Sequence, residues 1–283
     1  MMRPMNPTIH TLTSADGTAL YATWWQSADS APKAVVAHVH GLGEHSGRHA
    51  HVAQRLVDGG YAVAAFDLRG HGQSGGGRGH TPLKGAMDDV DVLLADARRR
   101  QPGLPIFLFG HSLGGLIVLV EALQRRPDVV GVVATSPGLR SPVLDQTVKI
   151  TAAKLLGRVL PGVSMPTGLD DTGLSRDPAV IEAYRADPYV HDKASLALAK
   201  DGAEFADYAL AHAGEFRYPL LLVHGGDDPI TYPRGSEEFA AQVPGDVTLT
   251  IYPGLMHETH NEPEGPQVLD DIVAWLDAHV PQA

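Results

Sequence analysis

One pentapeptide constrains this chain more than any other stretch: Gly110-His111-Ser112-Leu113-Gly114. An apolar run over 105–109 precedes it and reads as a strand. A helical pattern over 112–126 follows it and stops before Pro127. A chain that passes from strand to helix in so few residues must turn sharply, and the residue at the apex takes a strained conformation. Side chains on either flank would clash, so Gly110 and Gly114 are required sterically. The turn lifts the Ser112 hydroxyl above the sheet at a helix N-terminus, where free N–H groups and the helix dipole favour developing negative charge. Gly-x-Ser-x-Gly alone is a weak signal in a chain with 31 glycines. The strand before it and the helix after it give it meaning.

The rest of the chain repeats that rhythm. Strands are expected at 8–13 and 19–26, joined by a turn at Asp16-Gly17, and at 34–39, 61–66, 129–134, 220–223 and 247–252. Helices are expected at 50–58, 84–101, 233–242 and 264–279. Near-continuous apolar strands alternating with helices imply a mostly parallel sheet covered on both faces. The alternation breaks between 137 and 213, where helical patterns are interrupted at Pro161-Gly162 and Pro166. Residues 1–136 and 214–283 therefore read as the core and 137–213 as a helical insertion. A strand–elbow–helix in such a sheet is the mark of the α/β-hydrolase fold, with Ser112 as nucleophile.

A serine nucleophile needs a base, an orienting acid and donors for an oxyanion. In this fold the acid and then the histidine follow the serine along the chain. Strand 220–223 runs into His224-Gly225-Gly226-Asp227-Asp228. Only one of the two carboxylates can face a histidine. Asp228 is favoured by its spacing from the glycine, with Asp227 the alternative. The last strand runs into Gly254-Leu255-Met256-His257, which makes His257 the expected base, with His260 just behind it. Strand 34–39 ends in His40-Gly41-Leu42-Gly43, where flanking glycines free the Leu42 N–H to enter the site. The N–H of Leu113 is the second expected donor. The loop Asp67-Leu68-Arg69-Gly70-His71-Gly72 reads as a brace.

Composition removes other classes. The formal net charge is −11, without a run of Lys or Arg, so no nucleic-acid partner is expected. Zero cysteines exclude disulfides, thiolate catalysis and cysteine-bound metals. No histidine or carboxylate spacing suggests a metal, and no cofactor is expected. The N-terminal residues lack the apolar run of a signal peptide, and no segment approaches about 18 uninterrupted apolar residues. The expectation is a cytoplasmic protein whose membrane contact, if any, is peripheral and apolar. Aspartate-elbow hydrolases are excluded by Ser112.

The residues in hand resemble the monoacylglycerol lipases. The resemblance rests on His40-Gly41-Leu42-Gly43-Glu44-His45-Ser46-Gly47-Arg48, Gly70-His71-Gly72-Gln73-Ser74, Gly110 to Gly115, Leu174-Ser175-Arg176 with Asp187-Pro188, and Gly254 to His257 with His260. It spans about residue 10 to residue 278 and departs from mammalian members in lacking cysteines. It implies hydrolysis of monoacylglycerol to fatty acid and glycerol, the alternative being a broader carboxylesterase or lysophospholipase with the same residues. It further implies that the insertion is a cap or lid, and that Glu44, Arg48 and His260 form a glycerol pocket. The stretch 143–160, with Val143, Leu144, Val148, Leu155, Leu156, Val159 and Leu160, carries more apolar surface than one buried helix face needs. It is expected either to pack on the core or to form a lipid-touching mouth that leads to an acyl site.

Overall fold

The computed structural model describes residues 6–281, without the side chains of Thr147, Val148 and Lys149. The expected contact of Val148 lies outside these. The strands are β1 (Thr8–Thr13), β2 (Ala19–Trp25), β3 (Ala34–Val39), β4 (Tyr61–Phe66), β5 (Ile106–His111), β6 (Gly131–Thr135), β7 (Ser164–Pro166), β8 (Lys193–Ser195), β9 (Leu220–Gly225) and β10 (Val247–Tyr252). The helices are α1 (Ala50–Asp58), α2 (Leu83–Arg100), α3 (Leu113–Gln124), α4 (Thr147–Leu156), α5 (Pro178–Ala186), α6 (Leu196–His212), α7 (Pro233–Ala240) and α8 (Gly265–His279). Eight strands form one sheet in the order β1-β2-β4-β3-β5-β6-β9-β10. Strands β4 to β10 of that order pair in parallel, and β1 and β2 complete one side antiparallel. This is the α/β-hydrolase fold expected from the sequence.

Every residue of β3, β4, β5, β6 and β9 is buried. Alternate residues face opposite layers: Val35, Ala37 and Val39 join a core with α2 and α3, while Ala34 and Val36 join one with α1 and α8. Period-two alternation on a sheet with two dry faces is why these strands read as continuous apolar runs. Fully burying one valine or phenylalanine side chain contributes about 1.5–3 kcal/mol.

Residues 137–213 leave the sheet after β6 and return to it at β9. They hold α4, α5, α6 and a short antiparallel ribbon, β7 with β8. The ribbon escaped the sequence reading because strands of 3 residues carry no usable periodicity. Leu198, Ala206, Ala209 and Leu210 of α6 lie in the larger core, whereas Leu155 and Leu156 at the end of α4 are 62% and 48% exposed. No helix among the described residues is long and apolar enough to cross a membrane.

One core group is at odds with its surroundings. Glu121 of α3 is fully buried, and Arg125 Nε, 3.7 Å from its Oε2, is too far to hydrogen-bond it. Burial, with the nearby negative charge of Asp91, pushes its pKa up to about 8 against the partial help of Arg125. Its folded pKa lies above the unfolded value, so its contribution to stability is complete at low pH and is lost as pH rises through about 8. Glu121→Gln is neutral at every pH. The melting temperature of this variant should gain on the parent between about pH 5 and pH 9. A pH-independent difference in thermal unfolding would count against a protonated Glu121.

Candidate active site

The site is built beyond the carboxyl ends of the parallel strands, where β3, β5, β9 and β10 run into loops. Ser112 follows β5 at φ 55°, ψ −115°, a conformation that L-residues rarely adopt. The close approach of the flanking glycines holds it there. A Cβ at Gly110 would lie 2.3 Å from the Gly114 carbonyl oxygen, and one at Gly114 would lie 2.2 Å from that of Val39. The N-terminus of α3 is thereby pressed against the end of β3. Among the described residues, neither the Leu42 nor the Leu113 N–H has an acceptor within the chain.

Ser112 Oγ donates to His257 Nε2 at 2.9 Å, and His257 Nδ1 donates to Asp228 Oδ2 at 2.7 Å. These roles follow from the acceptor-only carboxylate: it fixes the ring proton on Nδ1 and leaves Nε2 free to accept. Asp228 also accepts the N–H groups of Ile230 and Thr231 on Oδ1, at 2.8 and 2.9 Å. Burial opposes its charge, but the imidazoles of His257 and His224 outweigh that and hold its pKa well below the usual carboxylate range. For His257, burial pulls the pKa down, and the Asp228 carboxylate overrides it and lifts the group above its ordinary value. Asp227, the alternative acid, is exposed, and His257 Nδ1 bonds Asp228 instead.

A cavity of about 330 Å³ opens over Ser112 and His257. Its polar wall is a buried ion network. Glu44 Oε1 accepts from the Gly41 N–H at 2.7 Å and from His49 Nε2 at 3.0 Å. Arg48 donates to Glu44 at 2.7 Å and forms a fork onto both oxygens of Glu258 at 2.6 and 2.8 Å. Its guanidinium lies 4.8 Å from the centre of the Tyr184 ring of α5. Burial opposes the Glu44 charge, yet His49 and Arg48 hold its pKa well below the carboxylate range. The apolar wall comes from Leu42, Leu169, Leu174, Val190 and Ile230.

The structure brings Ser112, His257, Asp228, Leu42, Leu113, Glu44 and Arg48 together, and separates three other expected residues from the cavity. His260 is buried behind it, with ring centroids 4.9 Å from His49 and His111. Desolvation drives its pKa well below the histidine range, so it does not present a switchable donor to the cavity. Leu155 and Leu156 are exposed and off the cavity wall. Sequence reasoning missed Glu258 and Tyr184, both on the wall, and the buried His111, whose ring centroid lies 4.9 Å from that of His257. Glu258 directly follows the expected base and had a readable signal: a buried arginine beside one carboxylate invites a second. Tyr184 sits in the insertion, where nothing local marks it. The Asp67 loop does brace the site. Its Oδ1 accepts the Ser46 N–H and Oγ at 2.9 and 2.6 Å, which ties down the turn after Glu44. Among the described residues no group of three His, Cys, Asp or Glu side chains is arranged to hold a metal ion.

Residues 30–264 match the model of the family described as Hydrolase_4, serine aminopeptidase S33. A monoacylglycerol lipase of Mycolicibacterium smegmatis is 36% identical over 96% of this chain and 97% of its own length. An abhydrolase domain-containing protein of Dictyostelium discoideum is 37% identical over 96% of this chain, which spans only 29% of that protein. The crystal structure of a monoacylglycerol lipase from Paleococcus ferrophilus superposes with a TM-score of 0.85 at 39% identity, covering 92% of this chain and 99% of its own.

The geometry separates the two adjacent aspartates. Asp228→Asn should slow the reaction of Ser112 with a fluorophosphonate by on the order of 10⁴-fold, the size of the tautomer effect in a serine protease. Asp227→Asn should react within a few-fold of the parent. Equal rates for the two variants would remove Asp228 from the site.

Proposed function

The chain belongs to the serine aminopeptidase S33 family, among its monoacylglycerol lipases, and we propose that it hydrolyses monoacylglycerol to fatty acid and glycerol through an acyl-enzyme on Ser112. The observation that carries this reading is the Ser112–His257–Asp228 hydrogen-bond series beneath a cavity with a polar wall of Glu44, Arg48 and Glu258. His257 takes the Ser112 proton as Oγ attacks the ester carbonyl. The N–H groups of Leu42 and Leu113 receive the oxyanion, each worth about 2.7–4 kcal/mol in the transition state. His257 then protonates the departing glycerol oxygen. Water, deprotonated by the same imidazole, releases the acid.

The polar wall suits glycerol. Carboxylate oxygens of Glu44 and Glu258 accept from its two free hydroxyls, and Arg48 donates. A head group of similar size without hydroxyls leaves that wall unpaired, which is costly in a desolvated site. Charge argues against the lysophospholipase alternative for anionic substrates. Six carboxylates on the cavity wall, from Glu44, Asp170, Asp171, Asp187, Asp192 and Glu258, face the two guanidinium groups of Arg48 and Arg185. A phosphate head group meets repulsion there, whereas glycerol does not.

Residues 137–213 act in this reading as a cap whose outer face meets lipid. Leu155, Leu156, Val159, Leu160, Val163 and Met165 are all exposed, and such apolar surface is costly in water and favourable at a bilayer interface. The protein would then sit peripherally on the membrane that holds its substrate.

Monoacylglycerol should be cleaved about tenfold or more faster than the matched ethyl ester, and faster than triacylglycerol or a lysophosphatidic acid of the same chain. Rates on that four-substrate panel decide it: parity between monoacylglycerol and the ethyl ester leaves only a carboxylic ester hydrolase. Leu155→Ser with Leu156→Ser should weaken sedimentation with phosphatidylcholine vesicles and slow turnover of long-chain substrate. Cleavage of a short soluble ester should stay near the parent's. Equal losses on both substrates with a lower melting temperature would instead mean core packing.

A further inference from the structure

Asp228 serves two imidazoles. His257 approaches Oδ2 from the cavity, and His224, the penultimate residue of β9, approaches the same oxygen from inside the protein, with Nε2 at 3.1 Å. His224 Nε2 also lies 2.9 Å from the Thr231 carbonyl oxygen. A carbonyl can only accept, so that nitrogen carries the ring proton, which faces Thr231 O and Asp228 Oδ2 together. In the neutral ring Nδ1 is then left to accept from Ser236 Oγ of α7, 2.8 Å away. Both His224 and Ser236 are 0% exposed. Thr231 Oγ1 completes the shell, 2.9 Å from Asp228 Oδ2 and 3.0 Å from the Ser136 carbonyl.

We propose that His224 is a positioning residue for the reaction: locked by Ser236, it fixes the plane of the Asp228 carboxylate and shares its charge, so that Asp228 orients His257 without over-binding its proton. This rests on the reading of Ser112 as nucleophile and His257 as base. A carboxylate that accepts an additional hydrogen bond is a weaker base, because each donor stabilises its charge. Without the His224 donor, Asp228 holds the His257 proton more tightly, and the base is poised at higher pH. The other titratable or charged groups around His257 are His111 from β5, Glu258 beside it, and Glu44 from the loop after β3. Among the described residues none of them hydrogen-bonds His224, whose partners are Ser236, Asp228 and Thr231, so they stay constant across variants at that position.

The test is the pH profile of kcat/KM on a short soluble ester, with thermal unfolding of each variant. His224→Leu removes the donor and should lower kcat/KM by about 10–100-fold, the usual scale for removing an outer partner of a functional residue. It should also move the acid limb upward by roughly half to one pH unit. His224→Gln keeps a donor and should recover most of both. Ser236→Ala, a milder change that unlocks the ring, should move the limb in the same direction even if His224→Leu fails to fold. Acid limbs that coincide with the parent's in the Gln, Leu and Ala variants, whatever the melting temperatures, overturn the proposal and leave His224 a packing residue. A parent protein whose Ser112 does not react with a fluorophosphonate overturns the nucleophile reading and this inference with it.

Discussion

The close approach between the N-terminus of α3 and the end of β3 is the contact on which the rest of the site depends. No side chain can stand between Gly114 and the Val39 carbonyl, so the helix seats directly on the strand. That seating holds Ser112 at its positive-φ apex and leaves the first amide of α3, like that of Leu42, without an acceptor within the chain among the described residues. A single steric requirement thus fixes the hydroxyl and the amide that follows it at once. The strain at Ser112 is offset by the burial of the surrounding strands, all of whose residues are shielded from water.

Around that apex the protein manages charge rather than excluding it. Glu44, Arg48, Glu258, Asp228 and His257 are all nearly or fully withdrawn from solvent, and each charge meets a partner of opposite sign or a hydrogen-bond donor. Burial alone would neutralise the carboxylates. His49 and Arg48 hold Glu44 ionised, and His257 with His224 does the same for Asp228. The histidines with no carboxylate partner behave oppositely: desolvation drives His38, His111 and His260 well below the histidine range. Imidazoles of one chemical type thus divide into a proton-binding His257 and apolar-behaving rings packed behind it, by environment alone.

Much of this was legible in the sequence because its determinants are local. A turn that needs glycine on both sides of a serine, a glycine-flanked loop after an early strand and a histidine after the last strand are short-range signals. The strand runs were equally plain, since burial on two faces leaves no polar alternation to misread. What stayed hidden depends on distance in the chain. Asp227 and Asp228 differ only in which way a loop turns, and that is set by amides of Ile230 and Thr231 gripping one carboxylate. Tyr184 reaches the cavity only because Leu174, Ile181 and Ile230 pack α5 over it. His260 sits near the base in sequence, and the turn after His257 carries it behind His111. The exposure of Leu155 and Leu156 was equally invisible, because an apolar helix reads alike whether it faces protein or lipid.

The hydrogen bond between Ser112 and His257 joins residues 145 positions apart. It can form only after β6, β9 and β10 have added to the sheet beyond β5, and such long-range pairings are the slow, late part of folding. During synthesis the elbow emerges well before its base. A nascent chain, or one arrested before its last two strands dock, therefore carries a serine of ordinary reactivity. With Ser112 as the proposed nucleophile and His257 as its proposed base, esterolytic competence would arrive with the final strand, which makes the onset of probe labelling a chemical clock for completion of the fold.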